Sequence, residues 1–573
     1  MKIPSRTWED GTLLSPSSTS NPACLSTGEA KQSPGNHTNR KGLGIHFQQD
    51  AAPAHKAPSA VHFLHLIEGP ETLRLTAAIQ HHLHMEISQP VSHFQINREN
   101  TDQGEFLSIG RAFEQRSPDR FATEASLDQK VRLKGTNPSA AHQKILSCIL
   151  EHIDHFPIIL TDLSAETPRS FLQECLRYGH WLYILLGKEE KELCRARLLI
   201  KSLPRRIHNM IRPVLITGNK ATLNNLHPLE ERLGLRISHI IRPGPDKLHL
   251  PPGSQYHEDP NGRYAGQARR IAREIGHCRM GLVLSSGGAK GFSYVGVIQV
   301  LEKLGLEFDI IAGSSFGAVV GALWARGYDG DQLEDIALRF RNWMHLLKII
   351  DHVVDIRRGL IGGHRMEKYL RTLLEDAHFS ELSIPLEITA TDIETLHSKL
   401  IDSGDVASAL HASSAIPGIC VPTRRNGHLY IDGGIANPLP VQSLKDRGIE
   451  RIIAVSTVLT HDQSREMGRQ RMADDGAFQK NHPIIHFLNK RLNLFAHGNA
   501  FDTLMRSIEA AHIRLVERDA QLADLVLQPL PHNSRWQDFT NPQKYVDAGR
   551  KTATENVDAL LSVEAARREG AMR

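Results

Sequence analysis

Phe308-Asp309-Ile310-Ile311-Ala312-Gly313-Ser314-Ser315-Phe316-Gly317-Ala318-Val319-Val320-Gly321-Ala322 is the stretch that decides how this chain folds. The apolar run over 308–312 reads as a short strand, and the small-residue run Ala318–Ala325 reads as a helix. Between them stands G-x-S-x-G, Gly313 to Gly317. The pentapeptide recurs by chance in long chains. Strand, sharp turn and helix in that order, however, is the setting in which a serine becomes a nucleophile elbow. Gly313 and Gly317 let the backbone turn steeply and the helix pack close, so that Ser315 Oγ projects at the turn beside helix N–H groups.

One strand–helix unit upstream, Met280-Gly281-Leu282-Val283-Leu284 reads as a strand running into Ser285-Ser286-Gly287-Gly288-Ala289-Lys290-Gly291 and then a helix over 292–304. A glycine-rich turn that opens a helix exposes unpaired N–H groups at the positive end of the helix dipole, a setting for a phosphate or an oxyanion. The order is wrong for a nucleotide loop. Lys290 precedes Gly291 and Phe292 follows it, so G-x-x-x-x-G-K-[ST] fails, and Ser286 stands at the first glycine of G-x-G-x-x-G. Downstream, Tyr430-Ile431-Asp432-Gly433-Gly434-Ile435-Ala436-Asn437-Pro438 puts an aspartate at a strand end before two glycines. Alone, that segment reads as a turn.

The remainder of the 573 residues sets the frame. A net charge of +4 gives no electrostatic footprint for nucleic acid. Six cysteines, Cys24, Cys148, Cys175, Cys194, Cys278 and Cys420, form no C-x-x-C pair. That fits a reducing compartment and argues against a structural zinc site. The N-terminus has no apolar signal-peptide core, and no run of 18 apolar residues is present to span a membrane. A cytoplasmic location, with peripheral contact at the inner membrane face, is the expectation. Residues 1–60, rich in Ser, Pro, Asn, His and Gly, read as disordered. From 61 to 265 strand-like and helix-like segments alternate, which predicts an α/β domain with a parallel sheet covered on both faces. Residues 90–140 give no clear period. Pro251–Ser254 and Pro260–Gly262 mark a linker, and a basic helix over 267–275 precedes a second domain over 276–460. Residues 460–482 read as a loop, and 485–520 and 542–563 as helices of a C-terminal extension over 461–573. His81-His82-Leu83-His84 suggests a metal only superficially, because only His81 and His84 share a helix face. No metal and no cofactor is called for.

Taken together, the glycine-rich loop, G-x-S-x-G and Asp-Gly-Gly, in that order over about residues 275–460, resemble the patatin-like phospholipase family. Gly359-Leu360-Ile361-Gly362-Gly363 and Ala412-Ser413-Ser414-Ala415-Ile416-Pro417-Gly418 resemble it too. The α/β segment and basic helix upstream resemble the subfamily related to neuropathy target esterase, without recognisable cyclic-nucleotide-binding modules. The resemblance implies an α/β, three-layer sandwich with a mainly parallel sheet and a lipid ester as substrate. It implies a Ser–Asp dyad, Ser315 as nucleophile and Asp432 as base, with the N–H groups of Gly287, Gly288 and Ala289 as an oxyanion hole. Ser286, Lys290, Gly291, Gly313, Gly317, Gly433 and Gly434 support these motifs. Two positions depart from the family: Ser286 stands where glycine is usual, and Lys290 where arginine is. Two alternatives stay open. One is a Ser-Asp-His triad drawing on His461, His482, His486, His497, His512 or His532. The other is a catalytically silent binding protein. Two apolar segments next to basic residues, Trp343–Ile350 and Ile484–Arg491, are candidates for bilayer contact.

Overall fold

The computed structural model of the chain describes residues 59–218, 226–242, 263–351, 361–469 and 500–572, apart from short gaps within 68–69, 88–157, 462–468 and 532–533. The disorder reading for 1–60 lies outside the described residues up to 58 and is corrected at Ser59 and Ala60, which already pair in the first sheet. The linker over 251–262, Ile484–Arg491 and most of 460–482 also lie outside the described residues. The described residues fall in one compact unit, His55–Arg573.

That unit contains two sheets. The first has nine strands: β1 (Ser59–His65), β2 (Val91–Thr101), β3 (Gly104–Gln115), β4 (Thr123–Ala125), β5 (Gln129–Arg132), β6 (Ile158–Ser164), β7 (Gly179–Leu186), β8 (Ile211–Ile216) and β9 (His239–Ile241), in the order β4-β3-β2-β6-β1-β7-β8-β9, with β5 also on β3. The run from β2 to β9 is parallel, as the alternating pattern requires. The correction lies at 91–132, where β2 turns into antiparallel β3, which pairs β4 and β5. These strands are polar and their alternation is weak, so period alone does not reveal them. Helix α1 (Pro70–Ile87) covers one face. Beside it lies α2 (Arg263–Ile275), whose Ala268, Ile271, Ala272 and Ile275 are buried with Val61, Phe63, Leu75 and Tyr183. The basic helix read as an entry to the second domain therefore spends its apolar face on the first sheet. Its charged face bridges to the second: Arg273 reaches Glu86 at 2.9 Å, Glu307 at 2.7 Å and Asp309 at 3.4 Å.

The second sheet has eight strands: β10 (Met280–Leu284), β11 (Ile310–Ser314), β12 (Leu386–Asp392), β13 (Ser398–Ile401), β14 (Thr423–Arg425), β15 (His428–Asp432), β16 (Arg451–Val455) and β17 (Leu525–Leu527). Their order is β14-β15-β12-β11-β10-β16-β17, with β13 also on β12. β12, β11, β10, β16 and β17 are parallel. The chain moves from β10 outward to β12 and later returns to the other side of β10 as β16. Such a reversal opens a crevice beyond the C-terminal strand ends, where open α/β sheets take ligands. The observed β11 begins two residues later than read and runs on through Ser314 into the elbow.

The C-terminal extension shares this core. β17 extends the sheet, and Tyr545, Val546, Ala553, Leu560 and Val563 are buried with Leu282, Leu284, Val297 and Ile298. Its helix α4 (Pro542–Glu555) crosses α3 (Ser293–Lys303) at a glycine pair. A Cβ on Gly296 would fall 2.0 Å from the Val546 carbonyl oxygen, and one on Gly549 would fall 1.9 Å from that of Ser293. The single helix expected over 542–563 breaks at Asn556 into two, Pro542–Glu555 and Val557–Met572.

Candidate active site

Ser315 sits at the turn between β11 and α5 (Phe316–Arg326), with φ 52° and ψ −122°. A non-glycine residue rarely holds such a conformation, and holding one costs of the order of 1–3 kcal/mol. The neighbouring glycines show what holds it here. A Cβ on Gly313 would lie 2.6 Å from Ala318 Cα, and one on Gly317 would lie 2.4 Å from the Ser285 carbonyl oxygen. The Ser315 N–H donates to Ser413 Oγ at 2.9 Å. Gly317→Ala has to push backbone against backbone. It is expected to lower stability by about 1–3 kcal/mol and to displace Ser315, visible as a lower urea midpoint.

Sheet register brings Asp432 to the same level. Ser314 pairs with Thr389 on β12, and Asp432 pairs with Ala390 from the opposite side of that strand. Two residues 117 positions apart in sequence therefore meet: the Ser315 hydroxyl donates to Asp432 Oδ2 at 2.6 Å. Asp432 Oδ1 accepts the Gly434 N–H at 2.7 Å. Both side chains are buried. Burial pushes the Asp432 carboxyl up to about 6, against the pull of the hydrogen bonds from Ser315 and Gly434. Gly433 is required beside it, since a Cβ there would meet the Thr389 carbonyl oxygen at 2.2 Å.

The glycine-rich loop lies alongside. The Ser285 hydroxyl, the Tyr294 hydroxyl and Thr457 fasten its start to the end of β16: Tyr294 Oη donates to the Ser285 carbonyl at 2.7 Å, and the Thr457 N–H to Ser285 Oγ at 2.9 Å. Gly288 adopts φ +57°, and a Cβ there would strike the Trp536 carbonyl oxygen at 2.5 Å. The expectation of three parallel amide donors needs correction. The Ala289 N–H donates to the Trp536 carbonyl at 2.7 Å and is therefore engaged. Among the described residues, the N–H groups of Gly287 and Gly288 meet no protein acceptor, and both residues line the cavity in front of Ser315. Trp536 comes from the C-terminal extension, and nothing in its sequence surroundings signals this contact.

Ser286 packs on Gly434, where a Cβ would come within 2.8 Å of Ser286 Oγ. Gly291 packs under Phe316, whose Cδ1 a Cβ would approach to 2.6 Å. Lys290 is buried, with Nζ 3.7 Å from Glu509 Oε1. The cavity, about 850 Å³, is walled mostly by apolar side chains, among them Val320, Leu323, Ile336, Phe340, Leu370 and Leu373. Lys290, Arg506, Glu509 and His512 add a polar portion from the glycine loop and the helix Ala500–Ala520. A hydroxyl that donates to a buried, unusually basic carboxylate, two unengaged amides and an apolar chamber together make the equipment for attack on an ester carbonyl.

Residues 282–445 match the family model described as patatin-like phospholipase. The chain carries a patatin-like phospholipase domain. The match begins inside β10 and ends beyond Asp432, so it takes in all three motifs. Among curated proteins, a lysophospholipase NTE1 of Cryptococcus neoformans var. neoformans serotype D is 31% identical over 196 residues, 34% of this chain and 12% of that protein. An uncharacterised NTE family protein of Mycobacterium tuberculosis is 34% identical over 180 residues, 31% of this chain and 49% of that one. The chain thus spans less than half the length of these relatives. Of solved structures, VipD from Legionella pneumophila aligns with a TM-score of 0.27 at 15% identity, over 49% of this chain and 67% of that one. The patatin-like domain accounts for the second sheet up to α6 (Val441–Asp446). The first sheet and the C-terminal extension lie outside the matched residues.

Proposed function

We propose that the chain is a serine-dependent lipid acyl hydrolase of the phospholipase or lysophospholipase type, working through a Ser315–Asp432 dyad. The observation that carries the reading is the 2.6 Å hydrogen bond between Ser315 Oγ and Asp432 Oδ2 in the lining of a mostly apolar cavity of about 850 Å³. The acyl chain lies among the apolar side chains, and the carbonyl oxygen faces the Gly287 and Gly288 amides. Ser315 Oγ attacks the carbonyl carbon while Asp432 takes its proton. Collapse of the tetrahedral intermediate expels the alcohol or glycerophospho group, which leaves with that proton. Water, giving a proton to Asp432, then cleaves the acyl-serine to the free acid and returns Ser315 to its hydroxyl form. Each amide donor that follows the developing oxyanion contributes about 3 kcal/mol.

Lysophospholipid, phospholipid and simple ester panels with the purified chain test the reading, with free fatty acid release expected. An absence of acyl hydrolysis across all three classes overturns it.

For a triad reading, the histidine that lines the same cavity, among the described residues after Asp432, is His512. It is half-buried, and desolvation together with nearby Lys290 lowers its pKa to about 4, so it is neutral at pH 7. Among the described residues no histidine is hydrogen-bonded to Ser315 or Asp432. His512→Ala is therefore expected to keep turnover within about tenfold of wild type; a loss comparable to that of Ser315→Ala favours the triad.

Contact with a bilayer is supported by the helix Trp343–Ile349. Its Leu346 and Ile349 line the cavity, while Met344 and Leu347 are exposed. A Met344→Asp, Leu347→Asp double variant is expected to float less with liposomes of anionic phospholipid than wild type, at unchanged hydrolysis of a short water-soluble ester. Among the described residues, no helix is long and apolar enough to cross a membrane.

A further inference from the structure

His411 lies on α8 (Val406–Ser413), in the lining of the cavity and opposite α7 (His364–Leu374). It is 3% exposed, and both of its ring nitrogens face acceptors: Nδ1 is 2.8 Å from Glu367 Oε2, and Nε2 is 3.3 Å from the Gly362 carbonyl oxygen. A neutral imidazole carries a single N–H. If Nε2–H serves the carbonyl, the Nδ1 lone pair faces a carboxylate oxygen, and either a second proton on the ring or a cation bound at that edge reconciles the two. A third donor converges there. His364 stands three residues before Glu367, on the same face of α7. One ligand atom from each of His364, Glu367 and His411 lies within 4.8 Å of the others.

We infer that His364, Glu367 and His411 form a binding site for a first-row divalent cation, zinc being the best match. Two imidazoles and a carboxylate make a borderline donor set, with three protein ligands and a fourth position for water. Calcium and magnesium prefer oxygen throughout.

The surroundings are those of a built site. A ligating histidine usually donates its other N–H to a carbonyl or carboxylate, and the Gly362 carbonyl stands in that position. Glu367 Oε1 accepts from Arg371 Nη2 at 2.9 Å, and Arg371 is held in turn by Asp405 at 2.6 Å and 3.0 Å. Gly363, at φ +81°, lets the ring lie against the backbone, since a Cβ there would fall 2.3 Å from His411 Nε2. The Asp351 carboxylate fixes that turn by accepting the N–H groups of Gly363 at 2.8 Å and His364 at 3.2 Å.

Such an ion joins two helices that matter to the cavity. α7 contributes Met366, Leu370 and Leu373 to its wall, and α8 carries Ser413, whose Oγ accepts the Ser315 N–H. The bound ion is therefore a clamp between the acyl chamber and the elbow, and it stabilises the folded chain by mass action.

The test uses the full chain after chelator treatment. Cobalt(II) is titrated as a spectroscopic probe, and zinc(II) by competition against it. One equivalent is expected, giving the visible absorption of a low-coordinate cobalt site, together with a zinc-dependent rise in Tm. His364→Gln, an exposed position whose replacement leaves the fold intact, is expected to weaken zinc by more than about tenfold, and His411→Gln to abolish the cobalt spectrum. With 32 histidines in the chain, adventitious binding is the main rival. Cobalt and zinc binding that is unchanged in His364→Gln and His411→Gln overturns the assignment, and so does a wild-type chain with neither spectrum nor Tm shift.

Discussion

Ser315→Ala is expected to reduce lipid ester hydrolysis by about 10⁴- to 10⁶-fold, the range seen when the nucleophile of a serine hydrolase is removed. The loss follows from the mechanism itself, because without Oγ there is no acyl-enzyme, and the amides of Gly287 and Gly288 are left to polarise a carbonyl that only water can attack. Folding should survive. Alanine deletes one buried hydroxyl whose one acceptor among the described residues is Asp432, and the elbow's strain at φ 52° is the same for alanine as for serine. A fluorophosphonate probe supplies the second readout. Wild type should be labelled at Ser315 and the variant should not. A wild type that resists the probe, although folded, favours the silent binding protein; a variant that still turns over lipid ester removes Ser315 from the mechanism.

The legible part of the sequence was the part in which local chemistry and local geometry coincide. G-x-S-x-G is readable because the steric demand is met by neighbours two positions away: Gly313 and Gly317 are glycine since backbone occupies the space of a side chain. The alternating strands and helices of 61–87 and 158–216 were readable for the same local reason. What escaped depends on contacts distant in the chain. The Trp536 carbonyl that engages Ala289 arrives from 247 residues downstream, and no spacing rule announces it. Ser413 was visible within Ala412–Gly418 as a resemblance, yet its hydrogen bond to the Ser315 amide depends on α8 packing against the elbow. The antiparallel β3–β5 strands escaped because their residues are mixed in polarity. His364 and Glu367 carried a weak signal in their i, i+3 spacing, but His411 joins them only through the packing of two helices.

Asp432→Asn should separate activity from stability. Asparagine keeps the geometry: its Oδ1 can accept the Gly434 N–H, and its Nδ2 can donate to Ser315 Oγ in place of the bond that the hydroxyl now gives. It cannot take the proton, so turnover should fall by about 10⁴-fold. Stability should move the other way. The folded carboxyl titrates at about 6 and the unfolded one at 3.8, because burial disfavours the charged form. Between those values the unfolded chain has already ionised while the native chain has not, so wild-type stability falls as pH rises from about 4 to about 6. The full difference corresponds to about 3 kcal/mol and persists above pH 6. Asparagine has no such penalty. The variant should therefore be more stable than wild type at pH 8, with the advantage shrinking towards zero near pH 4, as measured by urea midpoints at each pH. In the wild type the same ionisation should appear as an acid limb in kcat/KM, rising with pH and levelling above about 6. An Asp432→Asn chain that is equally stable at pH 4 and pH 8 relative to wild type, or a wild-type acid limb displaced to the ordinary carboxylate range, would mean that Asp432 is not the desolvated base on which the dyad depends.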